Sequence, residues 1–210
     1  MYKKLFVSKY LVVATLLAAW SVLPMAAQTT TVSTHSSPAI ALSSIHIGNF
    51  GRINDSYYRG AQPHGRDYRD LAALGVKTVI NLTNSDSQAN ERAMVEQAGM
   101  NYVQIPMTTH VPPTQEQIRQ FLALATGSAS QPVYVHCVGG RHRTGVMTAV
   151  YRMTVNGWSA DQAFKEMKQY KFGWERLHPE FKKFVYTYKP DHSFTAKDTL
   201  HSAASTTGTK

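Results

Sequence analysis

One stretch, PVYVHCVGGRHRTGVMTAVY (residues 132–151), constrains the fold more than any other. Pro132 to His136 is an apolar run of strand length, and it ends at Cys137, the only cysteine. Two glycines, two arginines and a histidine follow, then a run from about Thr144 to Asn156 with helical character. A buried strand that turns through glycines into a helix is one unit of the strand–helix alternation that argues for an α/β sheet. The turn has a chemical consequence. Backbone N–H groups in the first turn of a helix have no partner within the helix and point the same way, which suits an anion.

The rest of the chain repeats the alternation of strand and helix. INDSYYRGAQP places Tyr57 and Tyr58 ahead of a turn signal at Gly60 and Pro63. RDYRDLAALG reads as a short helix with Tyr68, Leu71 and Leu74 on one face and Gly75 as its stop. VKTVINL (76–82) reads as a buried strand, NERAMVEQAGM as a helix ending at Gly99, and NYVQIPM as the next strand. Thr114 is a cap for a helix carrying Ile118, Phe121, Leu122 and Leu124 on its apolar side. After the glycine-rich turn, further helices are expected from Ser159 to about Tyr170 and from about His178 to Tyr188. The expected domain runs from 44 to 189 and is an α/β sheet with the last helices on one flank.

The ends read differently. Residues 1–27 begin with Lys3, Lys4 and Lys9, continue through the apolar LVVATLLAAWSVL, and close on small residues. That is the layout of a secretory signal peptide, with cleavage expected near Ala27 and an uncleaved membrane anchor as the alternative. Export to the periplasm or the outside is therefore expected, with membrane contact only through this segment. Residues 28–43, rich in Thr and Ser, suggest a flexible linker, and 190–210 a polar disordered tail. The net charge of +9 includes those three lysines, so +6 remains without them. Such a surface favours anionic partners. No basic stripe with interleaved aromatics is present, so nucleic acid is not the expected partner. A single cysteine has no disulfide partner within the chain.

The turn itself carries the chemistry. Val138, Gly139, Gly140, Arg141, His142 and Arg143 can form a concave nest of amides around an oxyanion. The planar fork of Arg143 can grip two oxygens at once. Cys137 at the mouth feels the same positive potential, which favours thiolate. The hydroxyl of Thr144 can hydrogen-bond the sulfur and help it leave. The parts together make a nucleophile aimed at the centre of a bound oxyanion.

HCVGGRHRTG resembles the signature loop of the cysteine-based protein tyrosine and dual-specificity phosphatase superfamily. GRHRTG is similar to the GKHRTG loop of the plant and fungal atypical dual-specificity phosphatases, some of which act on inositol pyrophosphates. YYRGAQP, GVKTVINLT, MNYVQIPM and the helices after Thr144 extend the likeness over about residues 50–188. The resemblance implies a central four- to five-stranded, mostly parallel sheet flanked by helices, and a two-step reaction without metal or cofactor. It implies that Cys137 attacks phosphorus, Arg143 stabilises the phosphoryl oxygens, and water hydrolyses the phosphocysteine with help from Thr144. The expected substrate is a phosphorylated protein of the phosphotyrosine type or a polyphosphorylated inositol, acted on by a monomer. Low-molecular-weight tyrosine phosphatases carry their cysteine loop near the start of the domain. Thiol-dependent arsenate reductases need further cysteines, and rhodanese-type sulfurtransferases fit Arg143-Thr144-Gly145 poorly.

One part of the resemblance fails. The usual proton donor is an Asp about thirty residues before the Cys, yet no Asp lies between Asp86 and Asp161. MTTHVPP places Thr109 where that Asp would stand, while His110, Pro112 and Pro113 match the pattern. His110 is the candidate acid, since imidazole titrates near neutrality. Glu116 is less well placed, and Asp86 is an option if its loop folds over the site. Without a donor, a phosphate-binding pseudophosphatase is the alternative. Arg141 and His142 are expected to add positive charge at the rim.

Overall fold

A computed structural model describes residues 42–191. The expected signal segment, most of the linker and nearly all of the tail lie outside the described residues. Among the described residues, no helix is long and apolar enough to cross a membrane.

After a short 3-10 turn at Leu42–Ser44 come β1 (Gly51–Asn54) and β2 (Tyr57–Gly60), then α1 (Asp67–Ala73), β3 (Thr78–Asn81), α2 (Glu91–Gln97), β4 (Asn101–Gln104), α3 (Gln115–Thr126) and β5 (Val133–His136). Then α4 (Arg143–Val155), α5 (Ala160–Gln169), a second 3-10 turn at Glu175–Leu177 and α6 (Pro179–Thr187) complete the chain. The strands form one sheet in the order β1-β2-β5-β3-β4. β1 runs antiparallel to β2, and every other neighbouring pair is parallel. The architecture is thus the mostly parallel five-stranded sheet with flanking helices that the sequence led one to expect.

Alternation along the strands divides the core in two. Tyr57, Ile80, Val133 and Val135 face one side, where they meet Phe121 and Leu122 of α3, Val146 and Val150 of α4, Met167 of α5 and Phe181 of α6. Tyr58, Val79 and Tyr134 face the other, packed with Tyr68 and Leu71 of α1 and Val95 of α2. Helices on both faces explain why β2, β3 and β5 are buried at every position and show no polar alternation. α4 is buried almost all round because it lies between the sheet and α3, α5 and α6. The caps follow the sequence. Thr114 accepts from the Gln117 amide and Ser159 from the Gln162 amide, each closing a reciprocal capping box.

β5 sits between β2 and β3, parallel to both. The loops leaving the C-terminal ends of the three strands therefore share one edge. Ligands of open α/β sheets bind at such an edge.

Candidate active site

Cys137 leaves β5 at that edge and is 3% exposed. The turn that follows is held from outside. Gln62 N–H donates to the Val138 carbonyl at 3.1 Å. The Gly140 carbonyl accepts from Asn49 Nδ2 at 2.7 Å and from Arg59 Nη2 at 2.5 Å. With these carbonyls engaged from outside, the amides of Arg141 and Thr144 turn to the sulfur. Gly140 has φ +62°, and a Cβ there would collide with the Gly60 backbone, so glycine is required on both counts.

The electrostatics of the thiol follow from these contacts. Burial is the largest influence on Cys137 and pushes its pKa up. The hydroxyl and amide of Thr144, the Arg143 charge and the Arg141 amide together outweigh burial, and the pKa lies below the ordinary thiol value. The Thr144 hydroxyl is fully buried and has no other partner.

Arg143, the first residue of α4, is nearly as buried as the thiol. Its fork holds Asp86 through two bonds, Nη1 to Oδ1 at 2.9 Å and Nη2 to Oδ2 at 2.6 Å. Nη1 also donates to the Met107 carbonyl at 3.1 Å. One guanidinium thus ties together the loops after β3, β4 and β5. The hydrogen bonds from Arg143 pull the Asp86 carboxyl from its ordinary 3.8 to about 2, against partial desolvation. Asp86 is therefore ionised across the neutral range, and its two oxygens occupy the fork that would take two oxygens of an oxyanion.

The remaining residues singled out in the sequence surround this centre. Val138 and Arg141 are exposed, Gly139 and His142 are half-buried, and Gly140 and Thr144 are buried. His142 corrects an expectation. Burial, then the charges of His178, Arg141 and Arg143, hold its pKa below the ordinary imidazole value despite the Phe172 carbonyl, which Nε2 meets at 2.9 Å. It adds no positive charge to the rim at neutral pH, so that role falls to Arg141. Thr109 is exposed, as is His110, whose ring stacks on His178 at 5.0 Å. His178 in turn lies 3.7 Å from the His142 ring, so His110 stands at the rim of the loop, two rings away. Glu116 is drawn off to Arg119 on α3.

Of two further participants, the sequence offers Asp86 only on the condition that its loop folds over the site, as it does, and does not single out Arg59. Asp86 is the only acid between Asp70 and Glu91, but its partner becomes visible only once β3 is known to lie beside β5. Arg59 is fully buried beneath the loop, with its guanidinium 4.0 Å from the Tyr170 ring centre. Its one signal is a charge inside a strand that is otherwise apolar.

Comparison with known proteins agrees with this geometry. The family described as DSP-PTPase phosphatase fused to NAD+ kinase matches residues 48–183. The chain is 32% identical over 125 residues to the dual specificity protein phosphatase TpbA of Pseudomonas aeruginosa, covering 60% of this chain and 56% of that protein. It is 25% identical over 128 residues to the inositol diphosphatase DSP2 of Oryza sativa, covering 58% of this chain and 61% of the other. The aligned region thus spans little more than half the length of these relatives. The crystal structure of P. aeruginosa TpbA superposes with a TM-score of 0.58 at 29% identity, over 73% of this chain and 92% of the other. The catalytic domain of the PP-IP phosphatase SIW14 from S. cerevisiae shares the fold, with a TM-score of 0.62 at 21% identity over 70% and 90% of the two chains. A family match across most of the described residues, on a sheet and loop of this geometry, places the chain in the DSP-PTPase phosphatase family.

Proposed function

We propose that this protein is a cysteine-dependent phosphatase that hydrolyses aryl phosphate monoesters of the phosphotyrosine type through a phosphocysteine intermediate. The observation that carries the proposal is the buried Cys137, its pKa lowered by Thr144, Arg143 and Arg141, at the mouth of a loop that ends in a bidentate guanidinium. An arriving phosphoryl group takes the place of the Asp86 carboxylate in the Arg143 fork. The Cys137 thiolate attacks phosphorus, and the P–O bond to the leaving group breaks. Water then attacks the thiophosphate. The Thr144 hydroxyl steadies the sulfur as the S–P bond breaks and thiolate and inorganic phosphate are released.

A second substrate class has its own support. The Arg141 side chain is exposed at the rim, apart from the Arg143 fork, and several relatives bear inositol diphosphatase or PP-IP phosphatase names. A polyphosphorylated inositol would use that extra charge. The proposed setting is outside the cytoplasm, on the pattern of residues 1–27, with a monomer as the acting unit.

The test is phosphate release by purified protein from a panel: an aryl phosphate, phosphotyrosine and phosphoserine peptides, phosphoinositides and an inositol pyrophosphate. The expected result is turnover of the aryl phosphate and phosphotyrosine peptide, lost in Cys137→Ser. Release dependent on Cys137 from the pyrophosphate alone would favour the second class. No such release from any substrate would leave a phosphate-binding module.

A further inference from the structure

Three side chains from distant parts of the chain meet beside the signature loop. His110 comes from the loop between β4 and α3, His178 is the residue before α6, and Glu180 lies in the first turn of α6. A donor atom from each lies within 4.8 Å of the others. The Nδ1 atoms of His178 and His110 stand 3.4 and 3.6 Å from the same oxygen, Glu180 Oε1.

That spacing is at or beyond the limit of a good hydrogen bond. It is the spacing of metal ligands. Nitrogen and oxygen donors held about 2.1 Å from a tetrahedral ion lie about 3.4 Å from one another. Two imidazoles and one carboxylate are a donor set suited to Zn²⁺, and three protein ligands leave a fourth position for water.

The site is partly built in advance. His178 is stacked on Phe181 at 5.9 Å and packed against His142 at 3.7 Å, which fixes its ring. Glu180 is carried by the helix. The His110 side chain is 68% exposed, so an ion can reach the trio from solvent, while Glu180 and His178 are 22% and 12% exposed. The His110 and His178 rings are nearly parallel, 17° apart, and both present Nδ1 toward the carboxylate.

We propose that His110, His178 and Glu180 form a binding site for a divalent ion of the zinc class, at the rim of the catalytic loop but separate from Cys137. Occupancy joins the β4–α3 loop to the start of α6.

The test uses the purified, tag-free full chain carrying Cys137→Ser, so that the thiolate cannot bind the metal. Zinc titration by calorimetry is expected to show one ion per chain. Glu180→Gln and, separately, His110→Ala are expected to weaken binding at least tenfold. Saturating zinc is expected to raise the Tm of the Cys137→Ser protein by several degrees and to leave that of the added Glu180→Gln protein unmoved. Both substituted side chains are at least partly exposed, and the Tm without zinc reports whether either variant is misfolded. No binding to the Cys137→Ser protein, or binding of equal strength in well-folded Glu180→Gln and His110→Ala variants, overturns the proposal. Either result leaves the phosphatase reading untouched, because the measurement involves no turnover.

Discussion

Arg143 has one claimant within the chain, the Asp86 carboxylate, and one proposed from outside it, a phosphate. Asp86 satisfies the guanidinium with the same paired-oxygen geometry that a phosphoryl group offers, so the Arg143 fork is filled by the chain's own anion. The Asp86 side chain is 41% exposed, so solvent weakens the pair and a dianion can displace it. Asp86→Asn keeps the shape and removes the charge. It is expected to tighten competitive inhibition by inorganic phosphate several-fold at pH 7, measured against aryl phosphate hydrolysis; unchanged inhibition would show that the pair does not gate entry. The same contact predicts an acid response. A carboxyl whose pKa is depressed on folding stabilises the protein fully above its unfolded pKa, and that contribution is lost as pH falls through the folded value. Unfolding curves of the wild type and Asp86→Asn are therefore expected to converge between about pH 4 and pH 2.

At the level of elements, the strand–loop–helix unit of β5 and α4 was legible because its signals are local. Apolar length, paired glycines and the following helical run all lie within about twenty-five residues, and the caps at Thr114 and Ser159 are likewise encoded in four-residue patterns. What was not legible depends on strand order. Asp86 and Arg143 are 57 positions apart, Arg59 and Gly140 are 81 apart, and nothing local announces either pair. The placement of β5 between β2 and β3 creates both, and docking of α6 beside the signature loop creates the His110–His178–Glu180 trio in the same way. The loop depends on close backbone approach to β2, and Gly140 is where that dependence is sharpest. Gly140→Ala places a non-glycine residue at positive φ and drives its Cβ into the Gly60 backbone. The conformational cost alone is about 1–2 kcal/mol, and the collision adds to it. Urea unfolding is expected to show a loss of more than about 2 kcal/mol, with phosphate inhibition abolished in the protein that remains folded. A neutral effect would mean that the loop tolerates another path.

Across the whole molecule, the three loops at the carboxyl edge of the sheet bring together the proposed nucleophile, Cys137, and the proposed anion clamp, Arg143, without an evident proton donor. Thr109 stands where the donor was expected and is a poor acid. Asp86 is near enough but rests ionised in the Arg143 fork, with a pKa of about 2, and it can carry a proton to the leaving oxygen only after the phosphoryl group has displaced it. His110 is at the rim, its Nδ1 directed to Glu180. A positioned general acid is typically worth about 10²- to 10⁴-fold, and its absence falls hardest on leaving groups that need a proton. An alkoxide from phosphoserine is such a group. A phenoxide from phosphotyrosine needs the proton less, and a phosphate released from an anhydride hardly needs it. The expected outcome is a kcat/KM at least about a hundredfold greater on a phosphotyrosine peptide than on the matched phosphoserine peptide. Across a series of substituted phenyl phosphates, kcat/KM is expected to rise steeply as the leaving phenol becomes more acidic. Equal rates on the two peptides, or a flat series, would mean that a proton reaches the leaving oxygen after all. His110→Ala would then be the first variant to examine, because a donor at that position would restore the steep dependence when removed.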